Sequence, residues 1–257
     1  MKSVIVSGAS SGIGAALALR LAAPGVRLGL IGRNADRLAQ VVAECETRGA
    51  VCRPGQLDVT DRAATAAYCT AFEVEAPLDM LINNAGILAG RSESGAIEDA
   101  ETAHRVIDTN LSAAVDMVNI ILPGMRARGE GKIVMVSSLA AFAPLADAPA
   151  YSAAKAGLVA YGLALRQAVS RDGIDVVVSC PGYVDTAMGR THIGSRPFEI
   201  NADTAARKII AGIDRDRQLS GFPFPLYWSA RLSQLMPEFL YRLVSDGLRF
   251  HVRNAKQ

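Results

Sequence analysis

Val4-Ile5-Val6-Ser7-Gly8-Ala9-Ser10-Ser11-Gly12-Ile13-Gly14-Ala15-Ala16-Leu17-Ala18-Leu19-Arg20-Leu21 runs from a short apolar strand, through a glycine turn, into a stretch of helical character. That order leaves unpaired backbone N–H groups at a helix N-terminus, where the helix dipole favours a pyrophosphate and glycines let phosphate approach the main chain. The spacing is G-x-x-x-G-x-G, with Ser10 and Ser11 inside it, rather than the commoner G-x-G-x-x-G. Standing alone, such a turn can also be a tight bend that binds nothing.

The rest of the chain fits a fold built on this unit. Its 257 residues are 50% hydrophobic and only 5% aromatic, which suits helices packed closely on a buried parallel sheet. One domain over residues 1–257 is expected. With 27 basic and 25 acidic residues the net charge is +2, so no strong field points to nucleic acid. The cysteines Cys45, Cys52, Cys69 and Cys180 form no C-x-x-C pair and read as reduced thiols. The N-terminal apolar run is too short for a signal peptide, and no uninterrupted apolar run is long enough for a spanning helix. A cytoplasmic location is expected.

Leu28-Gly29-Leu30-Ile31 reads as a second strand, followed by a helix from Asp36 to Gly49 with Asn34 as N-cap. At the tip of this strand an acidic residue would bind a ribose 2′-hydroxyl and repel a 2′-phosphate. Gly32 stands there instead, followed by Arg33 and, one helical turn on, Arg37. A guanidinium binds phosphate bidentately, so NADPH is expected ahead of NADH, with NAD(H) as the alternative. Val51 to Leu57 reads as a third strand running into Asp58-Val59. The Asp58 carboxylate can meet an adenine amino group, or cap a helix from Thr60 to Glu75, or do both. Met80-Leu81-Ile82 is a further strand, and the amides of Asn83-Asn84-Ala85-Gly86 can pair with backbone left open where a sheet splays.

From Ala100 to Arg128 the pattern is one long helix with a broad apolar band, interrupted by Asn110. A buried amide is expensive unless paired, so Asn110 implies a local hydrogen bond or a helix distortion. Ile133-Val134-Met135-Val136 leads to Ser137-Ser138, and Leu139 to Ala150 is long enough to fold back over a cleft. Ser138 could then face Tyr151. Tyr151-Ser152-Ala153-Ala154-Lys155 starts a helix running to Arg171 and places a phenol and an ammonium at i and i+4 on one face. A neighbouring cation favours phenolate, which would make Tyr151 a general acid and base. Taken alone, the pair is more often an ordinary helix edge. Val176-Val177-Val178 is another buried strand, followed by a turn through Pro181-Gly182 to Val184 and Thr186.

Gly8-x-x-x-Gly12-Ile13-Gly14, Asn83-Asn84-Ala85-Gly86, Asn110, Ser138, Tyr151-x-x-x-Lys155 and Pro181-Gly182 occur in the order found in the short-chain dehydrogenase/reductase family. The chain resembles its branch of about 250 residues over roughly residues 3 to 190. Ser7 stands where that family usually has Thr, and the hydroxyl is kept. The resemblance implies a Rossmann-type α/β fold: a doubly wound, mostly parallel sheet of seven strands with helices on both faces. It implies carbonyl–alcohol interconversion by hydride transfer, with a non-catalytic dinucleotide-binding sensor or scaffold on the same fold as the alternative. Ser138 would then hydrogen-bond the substrate oxygen and Tyr151 would transfer the proton. Lys155 would bind the nicotinamide ribose and lower the Tyr151 pKa, Asn110 would hold a relay water, and Val184 and Thr186 would touch the nicotinamide carboxamide. Gly8, Ser10, Ser11, Gly12, Ile13, Gly14, Arg33, Asp58, Val59, Asn84, Ala85, Gly86, Pro181 and Gly182 complete the expected cofactor contacts, and no metal is expected.

Beyond Thr186 the sequence is less informative. Ala187 to Ile200 reads as a loop over the cleft, with Phe142, Leu145, Tyr183, Met188 and Phe198 lining a mainly apolar pocket for a hydrophobic ketone or alcohol. His192 reads as a solvated loop histidine, and Asp214-Arg215-Asp216-Arg217 as a solvated turn. Gly221 opens a C-terminal extension with helical apolar positions Leu232, Leu235, Phe239, Leu240, Leu243 and Val244. A lid or a subunit contact ranks ahead of a lipid-touching helix pair, because Pro237 and Asp246 break a membrane-facing stripe. A homodimer or homotetramer is expected.

Overall fold

The computed structural model of the chain describes residues 2–92, 95–237 and 251–252. The order is β1 (Lys2–Ser7), α1 (Gly12–Leu21), β2 (Val26–Gly32), α2 (Ala35–Thr47), β3 (Val51–Gln56), α3 (Arg62–Glu75) and β4 (Met80–Asn83). Then come α4 (Ala100–Ile107), α5 (Ala113–Arg128), β5 (Gly131–Val136), α6 (Pro149–Ala168), β6 (Ile174–Pro181) and β7 (Val184–Asp185). The chain continues through β8 (His192–Ile193), β9 (Ile200–Asn201), α7 (Ala202–Asp214), β10 (Leu219–Phe222), α8 (Phe224–Ser233) and β11 (His251–Val252).

The main sheet has seven strands in the order β10-β6-β5-β4-β1-β2-β3, and its pairs are parallel. From β1 the chain adds β2 and β3 on one side, then crosses back to build β4, β5, β6 and β10 on the other. The reversal between β1 and β4 opens a crevice at the carboxyl ends of the strands, the usual ligand position in such sheets. Side-chain alternation separates two cores. Ile5, Leu81, Ile133 and Val176 pack with Phe72, Met117 and Leu158 of α3, α5 and α6. Val4, Val6, Leu28, Ile82 and Val134 pack on the opposite face with Leu17, Leu38 and Ile209 of α1, α2 and α7.

Several elements differ from the sequence expectation. The 100–128 run is divided by a π-helical turn, Asp108–Ser112. Asn110 lies in that turn and donates Nδ2 to Val106 O and Ile87 O, both at 2.8 Å, so the distortion reconciles a buried amide with its neighbours. By length and composition alone this run could cross a membrane, but Val106, Ala113, Met117, Val118 and Ile121 belong to the core. α3 starts at Arg62, capped by Asp61 rather than Asp58. Asn34 does cap α2, accepting from Arg37 N at 2.9 Å. Pro54 sits within β3 because that strand is at the sheet edge, where a missing N–H is tolerated. α6 begins at Pro149 and ends at Ala168, so Tyr151 stands in its first turn.

The C-terminal region departs most. Gly221 and Phe222 belong to strand β10 in the main sheet. The 187–200 segment is organised by short pairings, β7 with β9 and β8 with β11. His192 is buried, stacked edge-on against Tyr183 at 5.2 Å, and burial lowers its pKa. Asp216 is paired: both its carboxylate oxygens accept from Arg166, at 2.9 and 2.7 Å. Phe239, Leu240, Leu243 and Val244 lie outside the described residues.

Candidate active site

The glycine turn is built by backbone contact. Gly8 and Gly12 have φ of +69° and +56°, the left-handed region where L side chains are strained. A Cβ on Gly8 would lie 2.9 Å from Ala85 Cα, and one on Gly14 would lie 2.2 Å from Gly8 O and 2.6 Å from Asn84 Nδ2. Gly14 therefore lets α1 close onto the turn, packing it from behind. The Ser11 side chain makes no capping bond, so the first N–H groups of α1 remain available for an anion. Behind the turn, Ser7 Oγ accepts the N–H groups of Asn84 and Ala85, each at 3.0 Å. Asn84 Nδ2 donates to Ser7 O at 3.0 Å, and Asn83 Nδ2 to Ala114 O at 3.3 Å. The Asn84 amide thus joins the separating ends of β1 and β4, as expected, while the Asn83 amide ties the end of β4 to α5 instead.

A cleft of about 240 Å³ follows this crevice. All the expected cofactor contacts line it except Gly14, Pro181, Gly182 and Val184. Pro181 and Gly182 instead anchor the chain beside β10, Gly182 N donating to Phe222 O at 2.8 Å. Val184 is buried in the pairing with β9. Leu57, Ile87, Thr109, Val136 and Ser137 also line the cleft. Sequence reasoning assigned them no such part: each is an ordinary strand, loop or helix residue, and only the folded positions of β3, β4, β5 and the π turn bring them inward.

At the far end, a Cβ on Gly32 would meet Ser10 Cβ at 2.8 Å and Oγ at 2.9 Å, so an acidic side chain has no room there. Arg33 and Arg37 line this end. Arg33 is 63% exposed with Nη1 3.4 Å from Asp58 Oδ2. Asp58 Oδ1 accepts the Thr60 N–H at 3.0 Å and its hydroxyl at 2.8 Å. Burial pushes the Asp58 pKa up, but those bonds and Arg33 outweigh it and hold the carboxyl below the usual range. An anionic Asp58 thus steadies Arg33 without neutralising the other cation, Arg37.

The opposite end gathers Ser138 from the end of β5, Tyr151 and Lys155 from α6, and Asn110 from the π turn. Ser138 Oγ accepts the Ala140 N–H at 3.1 Å, leaving its O–H to donate elsewhere. Tyr151 is hydrogen-bonded to Ser138, so strand tip and phenol do face each other. Burial raises the Tyr151 pKa, and the Ser138 bond opposes that shift only in part. This corrects the expectation that Lys155 lowers it. The lysine is buried, its Nζ donates to Val136 O at 3.1 Å and sits 5.8 Å from the Tyr151 ring centroid, and desolvation drops its own pKa to about 8. Asn110 Oδ1 is buried and accepts no hydrogen bond. A Cβ on Gly86 would lie 2.5 Å from that oxygen and 3.4 Å from Lys155 Nζ, so both groups border one small polar space. Among the described residues no His, Cys, Asp or Glu cluster could hold a metal ion.

Of the residues proposed to line the substrate space, Met188 borders the cleft and Leu145 packs near Tyr151. Phe142 is instead buried edge-on against Tyr227, with Arg231 5.0 Å above its ring, and Phe198 is 59% exposed.

Comparison with known proteins agrees with this geometry. Residues 2–194 match the family model described as short chain dehydrogenase. An uncharacterized oxidoreductase of Myxococcus xanthus is 34% identical over 249 residues, covering 96% of this chain and 98% of that protein. A short-chain dehydrogenase from Sphingobium yanoikuyae, solved in complex with NADPH, superposes with a TM-score of 0.79 at 28% identity, covering 100% and 98% of the two chains. A variant of actinorhodin polyketide ketoreductase with NADPH gives a TM-score of 0.76 at 26% identity, covering 88% of this chain and 97% of the other. With a glycine turn, Asn84, Tyr151 and Lys155 on one crevice and a match to the family model over residues 2–194, this chain belongs to the short-chain dehydrogenase/reductase family of oxidoreductases.

Proposed function

We propose that the protein is an NADP(H)-dependent oxidoreductase that interconverts a ketone, preferably a hydrophobic one, and a secondary alcohol. The observation that carries this reading is that Tyr151 and Lys155 line the cleft together with Arg33, with Ser138 bonded to Tyr151 and Asn110 Oδ1 across Gly86 from Lys155 Nζ. The glycine turn fits a dinucleotide pyrophosphate. Ser10 beside Gly32, with Arg33 and Arg37 at the rim, fits a 2′-phosphate and leaves no place for the carboxylate that would repel it.

A bound nicotinamide supplies or takes the hydride. The chain handles the proton. Tyr151, with its pKa raised by burial, is protonated at neutral pH and is set to donate Oη–H to the oxygen of a ketone being reduced. The Ser138 O–H, which donates to the Tyr151 oxygen, would turn to donate to the substrate oxygen and fix its position. One Lys155 proton is spent on Val136 O. Its others face the space beside Gly86, where a water bridging to Asn110 Oδ1 would satisfy that orphaned acceptor and return a proton toward Tyr151. In oxidation the steps reverse, and Tyr151 must first lose its proton.

The deciding assay is NADPH oxidation with a panel of ketones, with Tyr151→Phe as control. The variant should lose about 10²- to 10⁴-fold in kcat while keeping NADPH affinity. Undiminished turnover in Tyr151→Phe would remove the catalytic assignment.

A further inference from the structure

The helix that carries Tyr151 starts without a cap of its own. Its N-cap residue, Ala148, has no side-chain oxygen, and Pro149 at the first helical position has no N–H. The first N–H of the helix proper, that of Ala150, donates instead to Glu98 Oε1 at 2.7 Å, across 52 residues of chain. Tyr151 is the next residue. Glu98 stands in the loop between β4 and α4 beside Asp99, whose carboxylate caps α4 by accepting the Thr102 N–H at 2.8 Å. Two consecutive carboxylates thus hold the starts of two helices. The same loop is pinned to the approach to α6, Arg91 N–H donating to Asp147 O at 2.6 Å and Arg91 Nε to Asp147 Oδ1 at 2.5 Å. Val106 of α4 and Ala150 of α6 share a small apolar cluster with Ala89, and Tyr151 packs against it.

A helix end can be capped at less cost. Glu98 Oε2 is buried and accepts no hydrogen bond, which is unfavourable, whereas a Ser or Asp in place of Ala148 would supply an acceptor locally. What the distant acceptor adds is a fixed placement of the first turn of α6 against the loop that leads into α4 and on to Asn110. We propose that Glu98 is a positioning residue for proton transfer: its bond to the Ala150 N–H holds that turn, and with it the Tyr151 phenol, where a substrate oxygen can take the proton. This rests on the ketone-reductase reading. Without Glu98 the Ala150 N–H has no partner within its own helix, and the turn is free to fray away from Ser138. A misplacement of about 1 Å at a reacting group costs about 10²-fold in rate. The glycine turn and Arg33 belong to other elements, so cofactor affinity does not depend on this bond.

The experiment measures kcat and KM for methyl hexyl ketone in the full-length protein, well below each variant's melting temperature, with NADPH affinity as the control for folding. Two substitutions separate reach from charge. Glu98→Asp keeps the carboxylate but shortens it by one methylene, and it should lower kcat at least tenfold. Glu98→Gln loses the charge but keeps an acceptor at the same reach, and its kcat should stay within threefold of wild type. Both should keep NADPH affinity within twofold. A cap that serves stability alone would lower the melting temperature of Glu98→Asp and leave its kcat at the wild-type value, and that result overturns the proposal. So does a Glu98→Gln enzyme as slow as Glu98→Asp. If Glu98→Asp does not fold, Glu98→Ala decides by the same criterion. Absence of turnover in the wild type would defeat the ketone-reductase reading instead.

Discussion

The glycine turn and the substrate side of the cleft are held by different kinds of contact. At Gly8 and Gly14 main chain touches main chain or a fixed amide, with no space for a methyl group. On the substrate side, two-residue strands pair with one another, β7 with β9 and β8 with β11, and side chains such as Val252, His192 and Tyr183 fill the gaps. Backbone-to-backbone fit admits one residue type and so leaves a motif. Side-chain packing admits many and leaves almost none. A cofactor common to a family needs the first kind of surface; a substrate that differs between members is served by the second.

The largest test of that contrast is Gly14→Ala. Its methyl must displace Gly8 O or Asn84 Nδ2, and overpacking of this kind costs about 1–3 kcal/mol. Loss of thermal stability and of NADPH affinity together is expected in a melting and titration series. If both stayed at wild-type values, the turn would be softer than the contacts imply.

Arg33→Ala comes next. A charge-assisted bond from an exposed guanidinium is worth about 1.5 kcal/mol, so NADPH affinity should fall roughly tenfold while NADH affinity hardly changes. Equal losses for the two cofactors would show that Arg33 does not read the 2′-phosphate.

The pH profile sharpens the comparison from the catalytic end. Burial has lowered the Lys155 pKa to about 8, so its ammonium is present below that pH and is lost as pH rises through it. Reduction should decline above about pH 8, and Lys155→Ala should abolish that limb of the profile. The sign for stability is opposite. Between about pH 8 and the ordinary lysine value the unfolded chain binds more protons than the folded one, so this residue's contribution makes the fold more stable as pH rises. The smallest effect belongs to Phe198→Ala. This side chain is 59% exposed in the 187–200 loop, and its removal should shift stability by less than about 0.5 kcal/mol. A drop comparable to that of Gly14→Ala would erase the distinction between the two regions.

Legibility in the sequence followed the same division. The glycine turn, the paired asparagines, Ser138 and Tyr151 with Lys155 were readable because each needs one residue type at one place. Asn110 was readable because an amide in an apolar band demands an explanation, and the π turn is that explanation. The Lys155 effect on Tyr151 was misjudged because i and i+4 spacing fixes a shared helix face but neither depth nor competing partners. Asp216 seemed solvated because its partner, Arg166, is far away in sequence.

By itself the sequence determined the order of strand, turn and helix, the family and the residues able to bind phosphate or move a proton, since these depend on local backbone geometry and side-chain chemistry. Tertiary structure alone decided that Gly221 and Phe222 finish the sheet, that His192 is buried, that Lys155 holds Val136 O and that Val252 packs in one cluster with Ala148. Burial and long-range pairing depend on which distant segments come to share a space, and no local pattern encodes that.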